Sequence, residues 1–600
     1  LALVFSPALL VFFLYFCSVN NLKTILSTSF MSQTQKEIII KRVSLLLMIY
    51  SFIVACSYIG SSRAQQNSND DFPGSHIKPA PEGVYIDKAQ YNEDVLHYSI
   101  RVRLDTEDKI VYGNVTLSMK FTDHPANAVY LNFFDNMSVD SLFFNGHSNS
   151  FAHLGRRLTI PLQQAIQPGD TFSVRVVYHG TPRNLGYSSF KFGEINGNSL
   201  VGTLNEPEFA STWFPCNDRP DDKALLDIYI TSDSAITSVS NGYLAEIIPE
   251  GRLKTYHWKT VYPISTYLIC LYSSVYQMFK DTCVLATGDT IPLYFYAIPK
   301  HLERAKADFQ DHQDMLNFYS NLFGPYPFPK EKYGVAEFLW QGGAMEHQTI
   351  TGVGTNFVRG TRQLTDMLAH ELAHHWWGDC VGPKTWKDIW LNEGFATYSE
   401  ILYAEHVDPD MSAGKRLSAF RIAPFTDDVY NPQRDMFSAS VYYKGAWILH
   451  MLRSEIGDST FFTLLRTWFI TYKYSNASTS DFIGLAERLS GKNLQQFFKQ
   501  WLFDGRGKLR VEYTWKTKPT DNGVLLMLTL KQTQDGYDAY QVPVDVYFEQ
   551  DSKLTSFTKT IRLEQKEQTF QFNLKNRPNS LQFDQDCRLL GEFIDRNPYE

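Results

Sequence analysis

The residues of this chain that could do chemistry stand close together. His370, Glu371 and His374 form the pattern H-E-x-x-H. Positions four apart on an α-helix share one face, so the two imidazoles would sit on adjacent turns and could hold one metal ion. Such pairs suit zinc, and a hydrolytic zinc site keeps three protein ligands and one open position. A further ligand is therefore needed. Eighteen residues separate His374 from Glu393, in the run W-L-N-E-G-F-A, and that carboxylate would come from a second helix. Glu371 follows the first histidine too closely to be the third ligand. It stands beside the metal, where an attacking water must give up a proton, and is the candidate general base.

H-E-x-x-H alone is only moderately specific, because any helix can carry it by chance. The longer runs H-E-L-A-H-H-W-W-G-D from His370 and W-L-N-E-G-F-A from Trp390 resemble the zinc aminopeptidases of the aminopeptidase N and leukotriene hydrolase family, which are gluzincin metallopeptidases. The resemblance implies His370, His374 and Glu393 as ligands of one zinc ion per chain and Glu371 as the base. Asp388 matches an acidic family position and is expected to orient a ligand histidine. His375 points about 100° away from His374 on a helix. It is expected to be a packing residue, as are Trp376, Trp377, Trp386 and Trp390.

Three other segments carry the resemblance further. Residues 340–347 read W-Q-G-G-A-M-E-H and lie upstream of the zinc motif, as the family's G-x-M-E-N exopeptidase signature does. Glycines there let the backbone approach a ligand. The resemblance assigns Gly343, Ala344, Met345 and Glu346 to the substrate's amino end, with His347 in place of the family's asparagine. The run T-L-N-E-P-E-F-A at 203–210 resembles the family loop T-Q-x-E-P-x-x-A, so Glu206 is expected to help bind the amino group, and Leu204 replaces the usual glutamine. The nearby segment 213–224, with Arg219 where many members have glutamate, is expected to be a structural turn. Finally, S-V-Y-Y-K-G-A-W at 440–447 resembles a segment whose tyrosine precedes Lys-Gly-Ala by two residues. That makes Tyr442, not Tyr443, the phenol expected to steady the oxyanion.

These residues need elements to position them, and 600 residues are too many for one hydrophobic core. From Tyr91 to about Met278, runs such as Y-S-I-R-V-R-L and N-V-T-L-S-M-K-F alternate apolar and polar residues and predict an all-β domain over 83–278. Between 279 and 505 the period turns mainly helical, punctuated by F-G-P-Y-P-F-P-K at 323–330. Alternation returns over 506–600. The fold class expected is a multidomain α+β protein: an N-terminal β-sandwich, a mainly helical thermolysin-like zinc domain and a small C-terminal β-sandwich. The large helical fourth domain of many family members is not expected.

Ahead of these domains, residues 1–60 contain two apolar runs, Leu1 to Val19 and Val43 to Gly60. With a start at Met31, Lys36, Lys41 and Arg42 would form the charged beginning of an export signal. I-V-A-C ending at Cys56 resembles a bacterial lipobox, which would place a lipid on that cysteine. Cleavage near Ala64 and a retained membrane anchor are the alternatives. Residues 61–82 are polar and read as a flexible tether. Each alternative places the rest of the chain outside the cytoplasm, in the cell envelope or periplasm or secreted.

A formal charge of −8, with no basic run, argues against a nucleic-acid partner. Seven cysteines without a C-x-x-C pair argue against a cysteine–zinc site and against a disulfide scaffold. The expected function is an exported zinc aminopeptidase acting on peptides with a free amino end. The alternatives are a zinc endopeptidase and a catalytically inactive surface protein on the same fold.

Overall fold

The structure is a computed structural model and describes Ile77, residues 86–550 and residues 556–597. The apolar runs, Cys56 and the tether apart from Ile77 lie outside the described residues.

Alternation in the sequence becomes a sheet where predicted. Glu93–Asp105 pairs antiparallel with Ile110–Phe121 and parallel with Leu225–Asp233, in the middle of an eight-stranded sheet. A register shift between Val95 and His97 resets the alternation, so that Val95, Tyr98, Ile100, Val102 and Leu104 all face the core. Gly113 is needed on the neighbouring strand because a Cβ there would lie 2.0 Å from the Tyr178 ring, whose hydroxyl donates to the Trp213 carbonyl at 2.6 Å. A four-stranded and a three-stranded sheet complete this β-rich region.

The zinc-motif region is built on a five-stranded sheet followed by helices. Its strands are β1 (Gln277–Val284), β2 (Thr290–Ala297), β3 (Tyr333–Phe338), β4 (Ala344–Met345) and β5 (Thr351–Gly354), in the order β1-β2-β3-β5-β4. The helical period seen in sequence does not reveal this sheet. Every residue of β3 and β5 is buried, Glu337 included, so these strands lack the alternation that marks a half-buried strand. The helices that matter for the site are α1 (Thr365–Ala373), α2 (Trp390–Val407) and α3 (Gly445–Ile456).

Two sheets form the C-terminal region: Glu567–Leu574, Gly523–Gln532, Leu509–Thr520 and Gly591–Asp595 in one, and Phe557–Leu563, Val542–Glu549 and Ser580–Phe583 in the other. Phe548 against Phe572 at 5.0 Å and Tyr513 against Phe583 at 4.5 Å join them face to face. Arg421 reaches Asp584 at 2.8 Å and fastens this sandwich to the helical region, and Lys444, buried just before α3, donates to the Gly505 carbonyl at 2.6 Å where that region ends. Among the described residues no large helical domain follows it.

Candidate active site

Helix α1 carries His370 and Glu371, and His374 caps its C-terminal end. Glu393 lies in the first turn of α2. The two helices bring His370 Nε2 and His374 Nε2 to 3.1 Å from each other and each to 3.3 Å from Glu393 Oε2. The second nitrogen of each ring decides what these distances mean. His370 Nδ1 pairs with Glu400 Oε2 at 3.0 Å, and His374 Nδ1 with the Trp377 carbonyl at 3.0 Å. With both Nδ1–H groups donating there, both Nε2 lone pairs and a carboxylate oxygen face one point. Three acceptors so close repel unless a cation sits among them. Tetrahedral ligands about 2.0–2.2 Å from one ion stand about 3.3–3.6 Å apart, so this donor set fits zinc.

Glu400 was not singled out in the sequence, although its signal was there: seven residues after Glu393, it returns to the same face of α2. Of the two acids it is Glu400, not Asp388, whose carboxylate meets His370. Asp388 ends the tight turn before α2, and its Oδ1 accepts from the backbone N–H and hydroxyl of Thr479 at 2.9 and 2.8 Å, its Oδ2 from Thr385 at 3.0 Å. Its side chain is committed to starting the helix Thr479–Ser490 and reaches neither ligand histidine.

Two glycines set how closely Tyr442 approaches. Gly394 on α2 and Gly445 at the start of α3 touch backbone to backbone: a Cβ on Gly394 would lie 3.0 Å from Gly445 Cα. Ser440–Lys444, a π-helical turn, leads into α3 and directs Tyr442 toward the ligands, its ring stacked on His370 with centroids 5.8 Å apart and its phenol hydrogen-bonded to Glu393. Burial, with Glu393 and Glu206 adding to it, holds that phenol well above its usual pKa, so it remains an O–H donor. Tyr443 faces elsewhere, stacked on Phe420 at 4.2 Å.

Glu346 follows the short strand β4, which is the edge of the sheet and pairs antiparallel with β5 on one side. Gly343 O accepts from Gly354 N at 2.9 Å, pinning the start of that strand. His347, in the asparagine position, meets the Tyr272 hydroxyl through Nδ1 at 2.5 Å. Glu206 arrives from the β domain on a loop held by Asn205, whose Nδ2 donates to the Ile269 carbonyl at 2.5 Å and whose Oδ1 accepts from Trp213 Nε1 at 3.0 Å. Leu204 is buried beside it. Arg219 pairs with Asp221 and donates to the Gln90 carbonyl, away from the ligands, in keeping with a structural turn. Lys223 from the same segment, also missed in sequence, donates to the Asp379 and Cys380 carbonyls at 2.6 and 2.9 Å and ties the loop after His374 to the β domain.

The electrostatics are those of a crowd of carboxylates. Ligand atoms of Glu346, Glu371 and His374 lie within 4.8 Å of one another, as do those of Glu206, Glu346 and Glu393. Oε1 of Glu206, Oε1 of Glu346 and Oε2 of Glu371 are buried with no hydrogen-bond partner. Burial pushes Glu206 well above the usual carboxylate range, and the groups acting next on it are Glu346, Glu393, Glu371 and Asp379, all acids. Burial likewise pushes Glu371 up to about 8, while His374 and His370 hold Glu393 down to about 2 against the cost of its burial. His375 is buried, with Nε2 accepting from Thr349 N at 3.0 Å, and Trp376, Trp377, Trp386 and Trp390 are core residues. The five described cysteines are free. Among the described residues no helix is long and apolar enough to cross a membrane.

The chain is 28% identical over 353 residues to probable aminopeptidase 2 of Sulfurisphaera tokodaii, covering 55% of this chain and 44% of that protein. It is 30% identical over 320 residues to endoplasmic reticulum aminopeptidase 1 of Mus musculus, covering 49% and 34%. The chain thus spans under half the length of these curated relatives. Among solved structures, the M1 zinc metallopeptidase of Deinococcus radiodurans superposes with a TM-score of 0.61 at 26% identity, covering 69% of this chain and 94% of that one. Aminopeptidase A of Legionella pneumophila, at 21% identity and a TM-score of 0.73 over 85% of this chain and 60% of its own, shares the fold. Residues 94–268 match the peptidase M1 N-terminal domain and residues 307–501 the peptidase family M1 domain. These two matches together take in more than half of the sequence, and the chain belongs to the M1 peptidase family.

Proposed function

We propose that the protein is a zinc aminopeptidase that removes the first residue of peptides with a free amino end. His370, His374 and Glu393 would hold the zinc ion, which would supply Lewis acidity toward the scissile carbonyl and the attacking water. The chain's own residues do the rest. Glu371 accepts the proton of the attacking water and passes it to the leaving amine, a role that suits a buried carboxylate with one oxygen free of hydrogen-bond partners. Tyr442 donates its O–H to the developing oxyanion. Glu346 and Glu206 hold the substrate's α-ammonium, and edge strand β4 offers main-chain groups to the peptide beside it.

The observation that carries this reading is the pair of orphaned oxygens on Glu206 and Glu346. An endopeptidase would bury those carboxylates against neutral peptide, at the cost of leaving charges unpaired. A free ammonium completes them. The ratio of kcat/KM for a free and an N-acetylated form of one reporter tests this: it should be large in the wild type and collapse in Glu346→Ala, with the zinc content unchanged. A wild-type ratio near one would leave the endopeptidase reading in its place. The Deinococcus enzyme solved with a Tyr-Ser-Ala substrate lends support by likeness.

For the amino-terminal segment we propose export, with lipid attached at Cys56, on the strength of its basic start, apolar core and I-V-A-C run. Cys56→Ala should abolish lipid labelling when the chain is expressed from Met31. A mature amino terminus at Gln65 would show simple secretion instead.

A further inference from the structure

Four glutamates converge on the site, and one zinc ion offsets only part of their charge. Glu206, Glu346, Glu371 and Glu393 can carry four negative charges; a zinc ion supplies two positive ones, and a substrate's ammonium one more. We propose that the amino-end pocket also binds a second divalent cation through Glu206, Glu346 and Glu393, and that this cation competes with the substrate's free amine. The competition rests on the amino-end reading above; the cation site rests on geometry alone.

The ligand oxygens of these three residues lie within 4.8 Å of one another, and all three side chains are buried. Oxygens on opposite sides of one hard cation stand about 4–5 Å apart, so the set needs only a small contraction. Oε1 of Glu206 and Oε1 of Glu346 have no hydrogen-bond partner, which in a buried carboxylate is a demand for a cation or a donor. Glu393 turns Oε2 to the two histidines. A carboxylate has a second oxygen and four lone-pair sites, and can serve two cations. The donor chemistry separates the two positions: the zinc set contains two imidazoles, whereas the second set is all oxygen and suits hard ions such as manganese or magnesium. Manganese stands below zinc in affinity for nitrogen ligands, so it should fill the second position without displacing the first ion.

The test uses the full chain carrying one zinc, with Mn²⁺ as the probe and both metals counted by equilibrium dialysis and elemental analysis, the manganese environment being read by electron paramagnetic resonance. One Mn²⁺ should bind while the zinc content stays at one. Leucinol, an amine with no scissile bond, should displace it, and N-acetyl-leucinol should not. Glu206→Gln and Glu346→Gln should each weaken manganese binding at least about tenfold and keep their zinc, which also shows that they fold. Failure of the wild type to bind manganese, or binding that persists in both variants, overturns the cation site and leaves the amino-end reading standing. Binding that the variants abolish but leucinol does not displace overturns the competition and the amino-end reading together. Should a variant lose its zinc, displacement by leucinol in the wild type alone decides.

Discussion

A single methyl group on Gly394 tests whether the site depends on the crossing of α2 and α3. The added Cβ would lie 3.0 Å from Gly445 Cα and 3.1 Å from its carbonyl carbon. Carbon atoms at rest stand about 3.5–4.0 Å apart. Both obstacles are backbone, so the helices must part by roughly 0.5–1 Å. Overpacking of this kind costs about 1–3 kcal/mol, and alanine recovers about 1 kcal/mol over glycine inside a helix. The net loss of stability is thus at most about 2 kcal/mol. Activity should suffer far more, because Glu393 adjoins Gly394 and Tyr442 lies three residues before Gly445. Misplacement by about 1 Å can cost 10²-fold in rate. Gly394→Ala should lower kcat/KM on an aminoacyl reporter by about 10- to 100-fold, with urea denaturation showing the small stability change. Gly484→Ala is the control: its Cβ meets only the end of Arg488 at 3.7 Å, so it should leave activity alone and stabilise slightly. Wild-type kcat/KM in Gly394→Ala would refute the argument, and an equal fall in Gly484→Ala would show that the effect has nothing to do with the crossing.

Tyr442→Phe should reduce kcat about 10²- to 10³-fold with a smaller change in KM, while Tyr443→Phe keeps its stack on Phe420 and should stay within about twofold of wild type; steady-state kinetics on both variants separate them. Glu400→Gln should weaken zinc affinity about 10- to 100-fold, because it loosens the hold on His370, and competition against a chromogenic chelator reads this directly. His374→Ala should lose zinc and activity together by elemental analysis and assay. Removal of zinc from the wild type by a chelator should lower the melting temperature by several degrees and zinc should restore it, since Glu393 and the two imidazoles are otherwise left facing one another; a melting curve indifferent to zinc would count against the ligand assignment.

The site was legible in sequence to the extent that its members sit at fixed helical intervals. His370 and His374 are four apart on one helix, and nothing beyond the helix period is needed to bring them together. Glu400 is legible only through the face of α2, which repeats at seven residues and so favours it over acids nearer to Glu393 in sequence. Asp388 shows the converse: five residues from Glu393, it lies in a separate turn and serves a different helix. The five-stranded sheet under the site escaped for another reason. Strands such as Tyr333–Phe338, buried on both faces, lose the alternation that reveals half-buried strands such as Glu93–Asp105. Nor did sequence position place Lys223 next to the loop after His374, a contact between residues 156 and 157 positions apart.

Carboxylates buried elsewhere in this protein show why those at the site point to a ligand. Asp308 accepts from the backbone of Arg359, Gly360 and Arg362, and Asp427 from Asp428, Gln433, Arg434 and Asp435; each knits a loop, and neither oxygen is idle. Glu93 and Glu331 leave one oxygen unpaired but use the other on backbone N–H groups. Their burial has a structural purpose that the chain itself fulfils. Glu206, Glu346 and Glu371 also leave a buried oxygen without a partner, but unlike Glu93 and Glu331 each lies within reach of the ligand set. A buried unpaired carboxylate is costly, and three together cost more because each raises the energy of charging the others. Packing alone would favour an apolar residue at such a position, as it has at Leu204. The three acids therefore fit a site completed from outside, by the proton of an attacking water at Glu371 and by an ammonium or a second cation at Glu206 and Glu346. That completion is also what would confine cleavage to the first peptide bond, since a mid-chain amide brings no positive charge to the pocket.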